Sequence, residues 1–321
     1  MARSKWRFWL WPSELRESGV LGMNRRNAVH VLSSNPRCFY PRVDDKWQTK
    51  QICEARGIRV PETYAVIERQ GDVRRFIELI GDRQEFVVKP AMGSGGRGIT
   101  VVVQHDGLQF QTSSGQQIAW PDLCYHLSTI LSGLYSLGGQ PDKAIVEQRI
   151  VRHPVFDDVA VGGTPDVRII LYRSVPVMAM VRLPTRSSRG RANLHQGAVA
   201  AAIDLATGIT FGGVCQGRTV TQHPDTGKPI AGLQIPEWER LVNGAMDLAD
   251  GLELGYLGID FVLDAQHGPV ILEANARPGL AIQVANRQGL VPRLDLIDAQ
   301  PPEKLRPERR LELLTQLAAL R

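Results

Sequence analysis

The sequence predicts a fold of the α+β class, in which antiparallel strands are combined with helices. Two apolar runs separated by a polar turn at residues 264–268 predict an antiparallel hairpin over residues 258–280. A second hairpin is predicted around the glycine-rich residues 91–98, because a β-prone run precedes them and another follows. Residues 236–254 carry apolar side chains on one face at helical spacing, which predicts an amphipathic helix.

The composition is that of a globular protein, with 321 residues of which 43% are hydrophobic and 22% charged. This length allows one large domain or two to three smaller ones. No apolar run is long enough to span a bilayer, which argues against a transmembrane protein. The four cysteines show no CxxC pair and no zinc-ligand spacing, and are interpreted as buried or incidental thiols of a reducing compartment: Cys38, Cys53, Cys124 and Cys215.

The net charge of +5 is modest, and the basic excess lies mainly in the first 42 residues and in residues 182–191. The second of these regions lacks aromatic side chains for base stacking. We therefore expect small anions as ligands and no nucleic acid.

Residues 1–43 are predicted to form an N-terminal arm, in which Trp6, Phe8, Trp9 and Trp11 stand among basic residues. The arm has no apolar h-region and is not a secretory signal. Either its tryptophans pack onto the domain, or it lies at a membrane surface, where basic and aromatic side chains are favoured. A cytoplasmic protein is expected, with peripheral attachment at the inner face of the membrane as the alternative.

A small α/β unit is predicted ahead of the glycine-rich loop. Its first helix begins at a cap on Asp44 or Asp45 and ends at Gly57. A strand at residues 63–67 and a second helix at residues 73–80 follow.

The glycine-rich loop predicts an oligophosphate site, because glycines let the backbone approach phosphate closely and turn N–H groups toward it. A strand follows the loop, whereas a P-loop or a Rossmann turn opens a helix. We expect a flexible hairpin over a nucleotide, with Lys89 directed at a phosphate and contacts from Gly93, Ser94, Gly95 and Gly96. An ordinary glycine-rich hairpin with a lysine directed at solvent is the alternative.

A helix is predicted at about residues 122–137 and a strand at residues 143–150. The strand is interpreted as an edge strand whose backbone contacts an adenine. Glu147 or Gln148 would add a polar contact.

Two further strands, at residues 166–172 and 175–182, carry Asp166, Arg168 and Arg182. The first two of these side chains share a face. Burial of Arg168 on an apolar strand would be costly without an anion, so phosphate or carboxylate is expected beside it.

The loop that follows holds more basic and polar side chains. Arg191 and Asn193 are candidates for an anion contact, because a guanidinium fork pairs with phosphate at two points. Arg186 and Arg189 are expected in solvent, and His195 in a structural hydrogen bond.

The remaining residues are predicted to form strands and a helix that pack onto the domain. Strands are expected in residues 198–222, with a turn at Gly212 and Gly213, and a C-terminal helix at residues 307–320.

The hairpin over residues 258–280 carries three oxygen donors. Glu273 and Asn275 share a face, because side chains alternate along a strand, and Asp260 on the neighbouring strand can oppose them. Mg²⁺ prefers oxygen donors and is commonly held by one or two carboxylates together with nucleotide phosphates. The alternative is that Asp260 and Glu273 lie on solvent faces of an ordinary hairpin.

Seven segments occur in an order that resembles the ATP-grasp superfamily and, within it, the RimK-like α-L-glutamate ligase branch. They are Lys46 at a helix start, VVKP with the glycine lid, VEQRI, DVR, RANLHQG, GID and ILEANARPG. The resemblance covers about residues 44–290. It implies the ATP-grasp fold, in which two α/β subdomains hold a nucleotide between them.

The implied subdomains are residues 44–150, with the lid at about residues 85–150, and residues 151–300, with the metal site. A C-terminal helix at residues 301–321 follows them.

The resemblance also implies roles for individual residues. Two magnesium ions, or manganese in their place, would be held by Asp260, Glu273 and Asn275, and Arg168 would steady the transferred phosphoryl group. The implied nucleotide contacts are two phosphate-binding lysines, three residues at the adenine hinge, one on the ribose side and two in a closing loop: Lys46, Lys89, Gln148, Arg149, Ile150, Asp166, Arg191 and Asn193.

The implied reaction joins a carboxylate to an amine. Attack of the carboxylate on the γ-phosphorus of ATP gives an acylphosphate, from which an amine displaces phosphate to form an amide. The donor would be glutamate or another amino acid, and the acceptor a peptide, a protein or a small amine. The alternative is an ATP-binding regulatory or assembly subunit of a membrane-associated system.

About 43 residues precede the helix at Asp44, fewer than the α/β domain with which ligases of this family usually begin. The chain resembles homologues that lack this domain, so a partner or a second copy in a homo-oligomer could complete the acceptor site. Arg277 stands where many of these ligases have a small residue, and is a candidate contact for the substrate carboxylate.

Overall fold

The computed structural model describes residues 11–320. Trp6, Phe8 and Trp9 of the predicted aromatic arm lie outside the described residues. The strands are β1 Thr63–Ile67, β2 Phe86–Pro90, β3 Thr100–His105, β4 Gln109–Thr112, β5 Gln117–Ala119, β6 Ala144–Glu147, β7 Asp166–Tyr172, β8 Val175–Leu183, β9 Val199–Ile203, β10 Thr210–Cys215, β11 Arg218–Val220, β12 Tyr256–Asp264 and β13 Gly268–Asn275.

The α-helices are α1 Pro12–Glu17, α2 Met23–Arg25, α3 Leu32–Ser34, α4 Pro41–Asp44, α5 Lys46–Ala55, α6 Gln70–Arg74, α7 Phe76–Ile80, α8 Trp120–Leu131, α9 Trp238–Leu252, α10 Ile282–Asn286, α11 Val291–Asp298 and α12 Leu311–Ala319. A π-helix, Arg26–Val31, joins α2 to α3. Short 3₁₀ turns lie at Arg37–Phe39, Leu137–Gly139, Pro154–Phe156, Leu194–Gln196, Pro302–Leu305 and Pro307–Arg309. Within the described residues no helix has both the length and the apolar character to cross a bilayer.

The chain divides into two compact units. The large unit takes the chain up to Tyr40, residues 152–269 and residues 274 onward, and the small unit takes residues 41–151 and 270–273. The four cysteines are all free thiols, as expected from their spacing.

The small unit contains a six-stranded antiparallel sheet in the order β1-β6-β2-β3-β4-β5. The predicted hairpin around the glycine loop is confirmed, because β2 pairs with β3 and places Phe86 opposite Val102. Phe76, Phe86 and Phe110 pack edge to face in the core of this unit. The predicted cap of α5 is also confirmed, since the Asp45 carboxylate accepts the N–H of Trp47 at 2.9 Å.

Three expectations for the small unit were wrong in detail. β6 is an interior strand, paired with β1 and with β2, and not an edge strand. The predicted helix over residues 73–80 is broken at Arg75 into α6 and α7. The helix expected at residues 122–137 ends earlier, because Gly133 has a φ of +84° and donates its N–H to the carbonyl of Ile130, which terminates α8.

The large unit contains a seven-stranded sheet in the order β11-β10-β9-β8-β7-β12-β13. Neighbouring β12 and β13 form the predicted hairpin, with its turn at residues 265–267. Helix α9 packs against β7, β8 and β12, and its buried side chains are those expected from the apolar stripe, among them Leu241, Ala245 and Leu248.

Gly212 and Gly213 do not form the predicted turn. Both lie inside β10, where the pairing with β9 shifts between Phe211 and Val214. The glycines therefore mark a bulge, one of the known uses of glycine within a strand. The predicted C-terminal helix is shorter than expected, because two proline-led 3₁₀ turns precede α12.

The N-terminal segment, Pro12–Tyr40, is mostly helical and belongs to the large unit. The fully buried Asn35 side chain fastens it. Its amide donates to the carbonyls of Tyr256, at 2.8 Å, and Ala276, at 3.1 Å, and its carbonyl accepts the N–H of Tyr256 at 2.8 Å. One side chain thus joins this segment to the start of β12 and to the chain after β13.

Replacement of Asn35 by Ala should destabilise the large unit by about 2 to 4 kcal/mol, because buried backbone groups of Tyr256 and Ala276 lose their partners. Urea denaturation monitored by circular dichroism measures the change. The exposed Asn24, replaced by Ala, is the matched control and should leave the midpoint unchanged. Equal midpoints for Asn35→Ala and Asn24→Ala would contradict this account of the segment.

Candidate active site

Four charged side chains meet on three neighbouring strands of the large unit. Arg168 of β7 donates from Nε and Nη2 to the two oxygens of Asp260 on β12, at 2.6 and 2.5 Å. Arg182 of β8 binds Asp166 of β7 in the same two-point manner, at 2.5 and 2.7 Å, and reaches Asp260 at 3.0 Å. The strand register explains the meeting, because Asp260 lies opposite Arg168 and Asp166 opposite Arg182. We call this set the four-charge cluster.

Burial makes the four-charge cluster electrostatically strong. Burial opposes ionisation of Asp260, but Arg168 and Arg182 outweigh it and lower the pKa of Asp260 to about 2. Burial raises the pKa of Asp166, an effect that Arg182 opposes and the neighbouring Asp260 reinforces. The anion expected beside Arg168 is therefore supplied by the protein itself.

A second buried set of charges lies in the small unit. Glu147, at the end of β6, is 3% exposed and binds the ammonium groups of both Lys50 and Lys89. Lys50 also donates to the carbonyl of Pro61 at 2.7 Å. Glu147 was one of two candidates, with Gln148, for a polar contact to adenine, and the structure places it between two lysines.

The two lysines keep Glu147 ionised. Burial opposes its charge, yet Lys89 and Lys50 together lower the pKa of Glu147. Burial lowers the pKa of Lys50, against the attraction of Glu147. Sequence reasoning missed Lys50, although it lies one helical turn after Lys46 on α5, a spacing that places both lysines on one helix face.

The base of the glycine loop is held firmly. The Lys46 Nζ donates to the carbonyl of Gly93 at 2.5 Å, and the backbone N–H of Lys46 donates to the carbonyl of Ala91 at 3.0 Å. The buried Asp142 carboxylate accepts the N–H of Met92 at 3.1 Å and the hydroxyl of Ser136 at 3.0 Å. Asp142 was not predicted, since a single Asp before a strand carries no distinctive pattern.

The tip of the glycine loop is exposed. Gly95 and Gly96 have φ values of +65° and +73°, and a Cβ at either would meet nothing within 4 Å. Among residues 11–320, the N–H groups of these two glycines donate to no backbone carbonyl. The loop therefore combines a fixed base with a tip whose amides are accessible, as the phosphate-site prediction requires.

The predicted adenine hinge follows β6. Gln148 pairs with Glu62 through backbone and side chain, at 2.8 and 3.3 Å. The guanidinium of Arg149 binds the carboxylate of Glu85, with distances of 2.8 and 2.6 Å. These contacts leave the backbone at Arg149 and Ile150 as the part of this segment suited to an adenine.

The loop after β8 is fixed at its base and exposed beyond it. Asn193 accepts the N–H of His195 at 3.0 Å and so caps a 3₁₀ turn, while Arg191 is exposed and approaches Gln196 at 3.5 Å. Gly190 lies so close to Gly162 that a Cβ added at this position would be 2.6 Å from the carbonyl oxygen of Gly162. A larger residue would therefore not fit there. The loop thus presents Arg191 from a rigid base.

The residues at the end of β13 differ in their surroundings. Lys46 Nζ lies 3.8 Å from a carboxylate oxygen of Glu273, whose side chain is about one third exposed. Burial lowers the pKa of Lys46, and Glu273 opposes the shift. Arg277 is exposed, and its guanidinium carbon lies 5.0 Å from the ring centre of Tyr40 in a cation–π contact.

The sequence was compared with models of known protein families. The model described as sugar-transfer associated ATP-grasp matches residues 25–299, most of the sequence. The chain belongs to the sugar-transfer associated ATP-grasp family. The match begins within the N-terminal segment, which the sequence resemblance had left out. The finer assignment to the RimK-like branch stays a prediction.

Solved structures share the ATP-grasp fold. Biotin carboxylase from Campylobacter jejuni, solved as a complex with β,γ-ATP, has 14% identity and a TM-score of 0.51, over 82% of this chain and 48% of that chain. The D-alanine–D-alanine ligase from Bacillus anthracis has 14% identity and a TM-score of 0.47, over 94% and 78%. The ligase PsnB, complexed with a minimal precursor, has 15% identity and a TM-score of 0.44, over 84% and 64%.

At these identities the likeness shows the fold alone. The chain spans less than two thirds of the length of PsnB and of biotin carboxylase. A comparison with curated proteins finds no match.

The predicted metal ligands of this ATP-grasp protein are carboxylate and amide oxygens, which suit Mg²⁺. Glu273 and Asn275 fit this role, because they lie two residues apart on β13 and are partly exposed. Asp260 fits less well as placed, since its two oxygens already accept three hydrogen bonds from Arg168 and Arg182. Within the described residues no group of three or more His, Cys, Asp or Glu side chains is arranged to hold a metal.

Replacement of Glu147 by Gln should lower the free energy of unfolding by about 3 to 5 kcal/mol at neutral pH, because two buried ammonium groups lose their anion. The lowered pKa means that the stabilisation by Glu147 is complete above its ordinary value of about 4.3 and disappears as the pH falls through the lowered value. The difference between wild type and variant should therefore shrink in acid.

Urea denaturation at several pH values measures this difference. The exposed Glu78, replaced by Gln, is the control and should have little effect, because its pairing with Arg75 is at the surface. A Glu147→Gln variant as stable as wild type at neutral pH would contradict the role assigned to Glu147.

Proposed function

We propose that the protein is an ATP-dependent carboxylate–amine ligase that forms an amide through an acylphosphate. The observation that carries this proposal is the pair of largely buried arginines, Arg168 and Arg182, on adjacent strands of an ATP-grasp sheet. Buried ion pairs add little to stability compared with apolar residues of similar size. A function that needs two guanidinium groups held in fixed positions accounts for their presence.

The nucleotide contacts follow from the small unit. The exposed amides of Gly95 and Gly96 at the loop tip suit phosphate oxygens, and Ser94 and Gly93, nearer the base of the loop, are proposed as further contacts. Lys46 and Lys89 lie at the base of this loop, and Glu147 fixes the position of Lys89. The backbone at Arg149 and Ile150, after Gln148, is the proposed adenine contact.

In the large unit, Arg191 and Asn193 are the proposed closing contacts, and Asp166 is the proposed ribose-side group. Asp166 also holds Arg182, so its carboxylate serves a positioning role in addition. Arg168 is proposed to neutralise charge on the transferred phosphoryl group.

The reaction has two balanced steps. A carboxylate oxygen of the donor bonds to the γ-phosphorus as the bond to ADP breaks, giving an acylphosphate and ADP. The amine then attacks the acyl carbon, phosphate leaves with the bridging oxygen, and the amine loses a proton. Glu273 and Asn275, with Asp260 as the third proposed ligand, would hold Mg²⁺, which would supply further neutralisation of phosphate charge.

The proposed donor is an amino acid, with glutamate favoured by the RimK-like motifs, and the acceptor is a peptide, a protein or a small amine. Arg277 supports an acidic donor, because it is exposed, held against Tyr40, and forms no ion pair with any residue from 11 to 320. Its guanidinium can bind a carboxylate at two points. A second copy or another protein is proposed to complete the acceptor site.

ADP release from ATP and magnesium should depend on an amino acid donor, tested with each common amino acid alone and with amine acceptors. Arg168→Lys should reduce the rate about a hundredfold or more, because the two-point geometry is lost where charge develops. Glu273→Ala should abolish turnover, and the exposed Glu239→Ala should not change it. ATP binding without turnover in any pairing would instead favour an ATP-binding regulatory subunit.

Substitution of Arg277 by Ala should raise KM for the donor about tenfold or more with a smaller change in kcat, because a charged hydrogen bond to the substrate is lost. Steady-state kinetics with the donor found above measure this change. Arg287→Ala, which removes an arginine with no role in the proposed site, is the control. Unchanged donor constants in Arg277→Ala would exclude this contact.

A further inference from the structure

The N-terminal segment contains a helix that buries polar side chains and exposes apolar ones. Residues 23–34 form one continuous helical stretch, α2, the π-helix and α3. A surface helix of a globular protein normally buries apolar side chains and exposes polar ones. Here the inward face carries Arg26 and His30 beside Val31, while Val29 and Leu32 face outward.

The inward face makes specific contacts with the large unit. Arg26 is 8% exposed and donates to the carbonyl of Pro278 at 2.7 Å. The His30 ring is 1% exposed and packs against the rings of Tyr172 and Tyr256, with centroid distances of 5.3 and 6.3 Å. These contacts fix the rotation of the helix, so its outward face is not a product of loose packing.

The outward face is apolar and exposed. Val29 and Leu32, three residues apart, are both exposed, and so is Arg25 before the π-helix. Val29 is 50% exposed and Leu32 61% exposed, and Met23 at the start of the stretch is 64% exposed. Earlier in the same segment, Trp11 and Leu15 are exposed as well. Exposed apolar side chains along one helical stretch, such as Met23, Val29 and Leu32, are typical of interaction surfaces.

The positive charge of the chain is concentrated in the part of the sequence that contains this helix. Residues 1–43 contain eight Lys and Arg against two Glu, a net charge of +6, whereas the whole chain has a net charge of +5. The remaining residues are therefore close to neutral. A helix with an apolar outward face inside a strongly basic segment is complementary to a surface that is both apolar and anionic.

We propose that the outward face of residues 23–34 binds an anionic phospholipid bilayer. Val29, Leu32 and Met23 would enter the interface between headgroups and acyl chains, while Arg25 and the other basic residues of the segment contact lipid phosphates. Binding does not depend on the catalytic proposal. It attaches the large unit to a membrane through the same segment that holds the loop after β13.

The test is co-sedimentation of the full-length protein with phosphatidylcholine vesicles that contain or lack phosphatidylglycerol, at low and high salt. Wild type should bind the anionic vesicles, bind neutral ones weakly, and bind less at high salt because the charges are screened. The double variant Val29→Ser, Leu32→Ser should bind the anionic vesicles about tenfold more weakly or worse, because the apolar area that enters the interface is lost.

The matched control is Leu108→Ser, Leu134→Ser, which removes two leucines of comparable exposure from the small unit and should bind like wild type. Circular dichroism verifies that each variant is folded. If the Val29 and Leu32 variant is unstable, the charge reversal Arg25→Glu replaces it and should also weaken binding. Circular dichroism thus reports on folding, and co-sedimentation reports on vesicle binding, independently of each other.

Several results would overturn the proposal. One is absence of wild-type binding to anionic vesicles, and another is equal binding by the face variant and the control. A third is binding that requires residues 1–10 but is unaffected by Val29→Ser, Leu32→Ser. A fourth is a change in oligomeric state, rather than in vesicle binding, when the face is altered, because the face would then bind a second copy of the chain.

Discussion

The structure of the large unit depends on the ion pairing of Arg168 and Arg182 with Asp260 and Asp166. Any one of these charges buried without its partners would be expensive, so the register of β7, β8 and β12 is tied to their meeting. The two carboxylates and two guanidinium groups balance in charge. Because buried ion pairs commonly add little to stability compared with apolar residues, we propose that the cluster serves function, with the two arginines positioned in advance for a phosphorylated group.

In the small unit, too, charged side chains are held in place by their ion-pair partners. Glu147 holds two lysines in the core, and Lys46 with Asp142 fixes the base of a glycine loop whose tip is accessible. Rigidity is concentrated where charged groups must be placed, and the backbone freedom of Gly95 and Gly96 is confined to the tip. Such a division suits phosphoryl transfer, in which a protein contributes positioning and charge neutralisation more than covalent chemistry.

Local sequence signals predicted much of the fold, and pairing between distant residues accounts for what they missed. The Asp45 cap, the apolar stripe of α9 and the two apolar runs that form β12 and β13 are local patterns, and each is confirmed. The interior position of β6 and the bulge at Gly212 depend on which strands become neighbours, so no local pattern reveals them. The same holds at the candidate site. Residue types predicted charges near the nucleotide, but the partners Glu147 and Asp260 are set by tertiary contact.

If the protein activates a carboxylate by phosphorylating it, the fate of the carboxylate oxygens records that step. The most direct measurement uses the donor with isotopically labelled carboxylate oxygens and follows the label by mass spectrometry of the products. An acylphosphate pathway transfers one labelled oxygen to the inorganic phosphate released with each amide formed. Unlabelled phosphate, with all of the label retained in the organic product or released in AMP, would contradict the account.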